Sequence, residues 1–276
     1  MNRFFLLDAR TLLLVFSFFF QGLIYAEKPI EQLVVSGTVL LDKKTAPEYK
    51  ALLAKLKTNW MLKADSITMA DKTLVFNTVG GASVMVAYLD YPAAPDEIGA
   101  AARLSWLWKT AAQETSEHQA QVVISVVGSY NRSLDIHKIF TQTAAAVLEV
   151  TKGPGIYMDS QYLLISREYY IASAKNMVQN QTIPLYCWVY FGRPGEGNGF
   201  TFGLADFSLP EMEIVNSMHN EAEVHATLYD AALSVVKYGT LLKDGQTVTT
   251  EEGTQALVLL VQGTYLEDKK VLRLDY

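Results

Sequence analysis

A single cysteine, Cys187, is the whole thiol content of this 276-residue chain. That excludes an internal disulfide and any cysteine-built zinc cage. Its neighbours Leu185, Tyr186, Trp188 and Val189 form an apolar run, where a buried and inert thiol is expected. A surplus of positive charge is missing as well: 23 Lys and Arg face 29 Asp and Glu, for a net charge of −6. Nucleic acid needs a basic face, so that class of partner is set aside. Histidine is scarce. His118, His137, His219 and His225 contain no HExxH, and the last two miss the i,i+4 spacing that places two metal ligands on one helix face. No metal and no cofactor are expected. No G-x-S-x-G marks a serine nucleophile. The glycine-rich segment Gly192-Arg193-Pro194-Gly195-Glu196-Gly197-Asn198-Gly199 lacks the Lys-Ser/Thr of a phosphate loop and lies between two strand-like runs, so it reads as a hairpin tip.

Long apolar stretches are absent too, except at the N-terminus. Arg3 and Arg10 precede the run Thr11 to Ala26, which is short for a membrane span and suits the core of a secretory signal. Ala26 supplies a small residue for cleavage, and no cysteine follows to accept a lipid. Residues 1–26 are therefore expected to be a signal peptide or N-terminal anchor, giving a secreted or periplasmic protein. A membrane-anchored or a cytoplasmic chain is the alternative. Membrane contact is expected only through this segment, if it stays uncleaved.

What the chain does contain is ample core: half of it is hydrophobic. It also contains an internal echo. Asp90-Tyr91-Pro92-Ala93-Ala94-Pro95-Asp96-Glu97-Ile98 returns as Asp206-Phe207-Ser208-Leu209-Pro210-Glu211-Met212-Glu213-Ile214, each after a hairpin-like apolar run. Leu33 to Leu41 reads as a strand. Thr45-Ala46-Pro47-Glu48 has capping-box spacing ahead of a helical stripe of Tyr49, Leu52, Leu53, Leu56 and Trp60. Gly80-Gly81 joins Thr73–Val79 to Ala82–Leu89 as a hairpin. Pro95 to Trp108 reads as a helix and Gln121 to Val127 as a buried strand. Ser133 to Val150 is a connecting helix, after which Gly153-Pro154-Gly155 opens a second series of similar elements. The expected fold is α+β: two ferredoxin-like (split βαβ) halves, residues 27–152 and 153–276, with mainly antiparallel sheets packed into one body.

Chemistry has few places to reside. Glu211 and Glu213 would share one face of a strand, and two carboxylates in a cleft can split acid and base roles. Against that, Ser208-Leu209-Pro210-Glu211 repeats the form of the earlier capping box, so Glu211 can equally serve a helix end. His118, preceded by Glu114 and Glu117, is the third candidate. Trp106, Trp108 and Trp188 with their neighbouring tyrosines read as core and subunit-interface material.

With these segments in hand, the chain resembles an uncharacterised bacterial family, domain of unknown function 4261. The resemblance is carried by Trp108, His118, Ala120 and Val122 to Val127, then by Gly155-Ile156-Tyr157, Tyr169, Tyr170, Ala174, Ile183-Pro184 and Trp188-Val189. It is clearest in Thr201-Phe202-Gly203-Leu204, Phe207, Glu211-Met212-Glu213 and Ser217, and closes with Leu242 to Thr247 and Val271 to Tyr276. Ser208 stands where the family is expected to have glycine. The resemblance implies no activity, substrate or catalytic residue. The expectation is a non-catalytic binding or interaction protein of the bacterial envelope, with a protein or small-molecule partner, and homo-oligomerisation is compatible with it. The alternative is a hydrolase using Glu211, Glu213 and His118 between the two halves. A haem-binding scaffold is a third reading, by fold analogy alone.

Overall fold

The computed structural model describes residues 32–249, 253 and 255–276, so the expectation for residues 1–26 lies outside the described part. Strand β1 (Gln32–Leu41) alternates strictly at first: Leu33, Val35 and Val39 are buried while Val34 is 40% exposed. Helix α1 (Tyr49–Thr58) turns Tyr49, Leu52 and Leu56 inward, and Trp60 is buried just past its end. The capping box expected at Thr45–Glu48 does not form; Glu48 is the N-cap and its side chain makes no cap hydrogen bond. The reason is steric. Ala46 precedes Pro47 and is steered away from helical backbone, so the helix starts only after the proline.

Strand β2 (Ala64–Ala70) has no counterpart in the sequence reading. It is an exposed edge with only Ile67 and Met69 as large apolar residues, and a bulge near Ser66 (φ 48°) breaks its register. The expected hairpin is present as β3 (Thr73–Thr78) and β4 (Ser83–Leu89), paired Asn77 to Ser83. Gly81 supplies the positive φ, 80°, that the turn requires. Helices α2 (Pro95–Leu104) and α3 (Ala111–Thr115) lead to β5 (Ala120–Ser129) and the long α4 (Ser133–Thr151). Then come β6 (Gly155–Met158), β7 (Leu163–Ser166) and α5 (Arg167–Asn180). The C-terminal part runs β8 (Tyr190–Gly192), β9 (Gly199–Phe202), β10 (Met212–Ile214) and α6 (Glu221–Tyr238). It ends in β11 (Thr247–Thr249), β12 (Gln255–Gln262) and β13 (Lys270–Asp275). Asn220 and Glu223 form the capping box of α6, and Gly239 (φ 63°) ends it. Among the described residues no helix is long and apolar enough to cross a membrane.

The strands form two sheets. One has the order β2-β3-β4-β5-β1-β6-β7 with every pairing antiparallel. The other has the order β11-β12-β13-β10-β9-β8, in which only β10 and β13 run parallel. The class is α+β with mainly antiparallel sheets. The ferredoxin-like order is not the order observed. A split βαβ unit would set β1 beside β4, whereas β5 lies between them. Nor do the sheets divide at Gly153, because β6 and β7 extend the first sheet through β1. The antiparallel ladder between β4 and β5, seven residue pairs long, stands where a parallel pairing of β4 with β1 would have been needed. The two copies of the internal echo also part company. Asp96 and Glu97 lie in the first turn of α2, while Glu213 lies in β10 and Glu211 directly precedes it.

Both sheets feed one hydrophobic core, which runs from Leu33 through Phe140 and Trp188 to Val258 and Leu274. A smaller cluster of Leu40, Ile98, Ala101, Trp108, Tyr157 and Leu164 lies where α2 and α3 cover the opposite face of the first sheet. Cys187 is fully buried, and burial pushes its thiol up to about 12, the inert state expected. The facing assignment has a direct check. Phe76→Ala, in the core, is expected to cost ~3–5 kcal/mol in urea unfolding. Val34→Ala, on the open face, should cost under ~0.5 kcal/mol.

Candidate functional site

The two glutamates that the sequence nominates are both buried, Glu211 3% and Glu213 0% exposed. Each is surrounded by donors. Glu211 Oε2 accepts from Thr201 Oγ1 at 2.8 Å, and Oε1 accepts from the backbone N–H of Gly203 at 2.8 Å and of Ala205 at 3.3 Å. Thr201 Oγ1 in turn accepts from Met212 N. Glu211 thus caps a single 3₁₀ turn, Leu204–Phe207, rather than an α-helix. Gly203 is required there: its φ is 128°, and an added Cβ would meet Trp188 O at 2.8 Å. Glu213 gathers the turn between β12 and β13. Its oxygens accept from Thr264 N at 2.8 Å, Tyr265 N at 2.9 Å and Leu266 N at 3.3 Å, with Arg273 Nη2 at 3.8 Å. Backbone amides aimed at a carboxylate supply the stabilisation that water would otherwise give, which is what allows these charges to be buried.

His118 is elsewhere. It precedes β5 in the first sheet, is buried, and its Nδ1 lies 2.7 Å from Thr115 O, while its Nε2 has no hydrogen-bond partner. No hydrogen bond or ion pair joins it to either glutamate among the described residues. A depression of about 20 Å³ beside Trp106 and Tyr190, room for roughly one water, includes none of the three. A surface groove of about 420 Å³ beside Lys63 and Lys138 includes none of them either. The structure therefore does not assemble Glu211, Glu213 and His118 into one site. Among the described residues no cluster of three or more His, Cys, Asp or Glu is placed to hold a metal.

Two groupings were not anticipated. The first joins the sheets. His137, fully buried, has Nδ1 2.9 Å from Ser133 O and Nε2 3.5 Å from Asp206 Oδ2, an ion-pair distance without hydrogen-bond geometry. Gln161 Nε2 donates to the same Asp206 oxygen at 2.7 Å, and Phe207 stacks on the imidazole at 4.3 Å. The second is a half-buried aromatic cluster. Tyr186 OH and His225 Nε2 are 2.9 Å apart, Trp106 meets both rings edge-on at 5.4 and 5.1 Å, and Tyr229 stacks on Tyr186 at 4.6 Å. Arg193, from the glycine-rich hairpin, lies 4.0 Å over Trp106 and pairs with Glu221 at 3.0 Å. His225 and Tyr229 are i,i+4 on α6, a signal visible in the sequence; the approach of Trp106 to them is not. Beside this cluster the register places Tyr190 opposite Phe202, and Phe200 stacks on Tyr265 at 5.4 Å. Tyr162 and Lys269 approach Phe202 to complete a half-exposed aromatic row.

Two outcomes follow from these contacts. Glu213→Gln turns an amide N–H₂ toward backbone donors and is expected to cost ~1–3 kcal/mol of stability in chemical denaturation, more for the charge lost. His225 is held well below its ordinary 6.5, at about 4, first by burial and then by the Arg193 guanidinium, with Glu221 opposing. The folded state therefore binds its proton less readily than the unfolded chain. The stability this histidine contributes is whole above pH 6.5 and is lost as pH falls from 6.5 toward 4. The stability difference between the wild type and His225→Asn, followed by thermal unfolding, should shrink across that window and stay flat above it.

No curated protein and no solved structure matches the chain. Residues 200–275 match the model of the family described as Domain of unknown function (DUF4261). The match takes in β9 through β13 and with them both buried glutamates and most of the groups that hold them, while the resemblance noted upstream of residue 200 lies outside it. Over residues 200–275 the chain is similar to the DUF4261 family.

Proposed function

We propose that this is a non-catalytic binding or interaction protein of the bacterial envelope. The observation that supports the reading is the state of its carboxylates. Glu211 and Glu213 accept from backbone N–H groups and a threonine hydroxyl, lie away from both surface depressions, and tie turns together. A general base must reach the proton it abstracts, and a carboxylate occupied in this way does not. The groups left at the surface are those of contact: the aromatic row of Tyr190, Phe200, Phe202, Tyr162 and Tyr265, with Lys269 at its edge. Aromatic residues with a nearby cation are enriched where proteins meet partners. The envelope location rests on Arg3, Arg10 and the apolar run to Ala26.

The test runs in parallel. The purified protein is screened against ester, phosphate, glycoside and peptide substrates, and is used as bait in an envelope extract. The expected result is no saturable turnover, together with a partner whose retention falls by at least about fivefold in Phe202→Ala and Tyr265→Ala, as for interface anchors. Saturable turnover that Glu211→Gln or His118→Asn abolishes, with melting temperature unchanged, would replace this reading by the hydrolytic one.

A further inference from the structure

We propose that the groove between the β3–β4 turn and the start of α4 binds an acidic peptide segment carrying an apolar side chain. This rests on the binding-protein reading and assigns it a second contact site, away from the aromatic row. The groove has a volume of about 420 Å³, within the range of sites that hold a ligand rather than a few waters. Its charge is the unusual part. On a chain of net charge −6, Lys63, Arg132 and Lys138 converge on one depression, with Asp135 as its only acid among the described residues.

Asp135 does not cancel the lysines, because it is already engaged. Arg132 donates to Asp135 Oδ2 through Nη2 at 2.9 Å and Nε at 3.1 Å, and also to Gly80 O. That fork closes the arginine and the aspartate into a neutral pair and fixes the turn against α4. Lys63 and Lys138 have no hydrogen bond or ion pair among the described residues. Two uncompensated ammonium groups thus face the same groove.

The walls specify the rest. Met61 is 66% and Val79 81% exposed at the rim, and the floor is closed by Leu62 and Ile139. Bare inorganic anions gain nothing from such walls, and nucleic acid needs far more phosphate contacts than two lysines offer. A peptide with carboxylates spaced around an apolar side chain satisfies both features at once: its charges pair with the lysines and its side chain covers Met61, Val79 and Ile139.

Fluorescence anisotropy with a labelled peptide of alternating glutamate and leucine tests this on the intact protein, against the same peptide with glutamine for glutamate. Expected is saturable binding of the glutamate peptide, at least about fivefold weaker binding of the glutamine peptide, and progressive loss as salt shortens the screening length. Lys63→Glu with Lys138→Glu should weaken the complex by about tenfold or more while the melting temperature holds, since neither side chain has a partner among the described residues. Equal affinity for the two peptides, an unaffected double variant, or inorganic phosphate competing as well as the peptide would overturn the proposal. So would self-association that the double variant abolishes, which would give the groove to a second copy. If the groove fails in these ways while Tyr265→Ala still releases the captured partner, the binding-protein reading stands without it. Specific turnover would remove the reading beneath it.

Discussion

The second sheet depends on a strand too short to hold itself. β10 is three residues long, yet it sits between β9 and β13 and supplies the one parallel pairing in the protein's described strands, through Met212–Leu272 and Glu213–Arg273. Two register pairs on each side are a weak ladder. Glu211 and Glu213 make up the difference by reaching beyond the strand. Glu211 binds the turn that follows β9, and Glu213 binds the turn that precedes β13. Each exchanges the water it loses for N–H groups already fixed in direction, so the desolvation that makes buried charge costly is largely offset. Removing either acid leaves donors facing an empty space. That is why these residues read more naturally as parts of the frame than as reagents.

The same turn carries the link to the rest of the molecule. Leu204–Phe207 is held from below by Glu211. From the side, Asp206 receives Gln161, Phe207 lies on His137, and Tyr130 OH donates to Ala205 O. Trp188 Nε1 donates to Thr141 Oγ1 on α4 at 2.8 Å, a second polar tie in the same region. α4 packs against β1 and β5 of the first sheet and against α5, so these contacts join the C-terminal sheet to the N-terminal one through a single long helix. Around them the apolar core is continuous. Buried polar groups with definite partners restrict how two sheets can sit against the same helix, which apolar packing alone does not.

Much of this architecture is legible in the residues. Alternation in β1 and β5, the Gly80-Gly81 hairpin, the stripe of α1 and the glycine-rich tip between β8 and β9 each follow from local chemistry that tertiary packing did not override. What local chemistry does not carry is strand neighbourhood. The choice between β4 beside β1 and β4 beside β5 rests on contacts across about forty residues, and nothing in the side-chain period distinguishes them. β2 leaves no signal in the sequence because an exposed edge has no buried face to impose a pattern. For the candidate site, the proximity of Glu211 and Glu213 along the chain is readable, but the choice between a strand and a helix entry there is not. Their partners were not, since backbone N–H groups of distant turns leave no trace in residue type.

That last point bears on how function is inferred from acidic pairs. A pair of glutamates two residues apart satisfies the pattern for acid–base chemistry and, equally, the pattern for stapling a short strand. The distinction lies in where the lone pairs go. Here they go to Gly203, Ala205, Thr264, Tyr265 and Leu266, while the groups left free are lysines above an apolar groove and aromatic rings along a sheet. The acceptors of both glutamates are thus taken up inside the fold, whereas other buried polar atoms, His118 Nε2 and His137 Nε2 among them, have no hydrogen-bond partner among the described residues. The matched family region therefore contains both glutamates together with the backbone N–H groups that hold β10 between its neighbours.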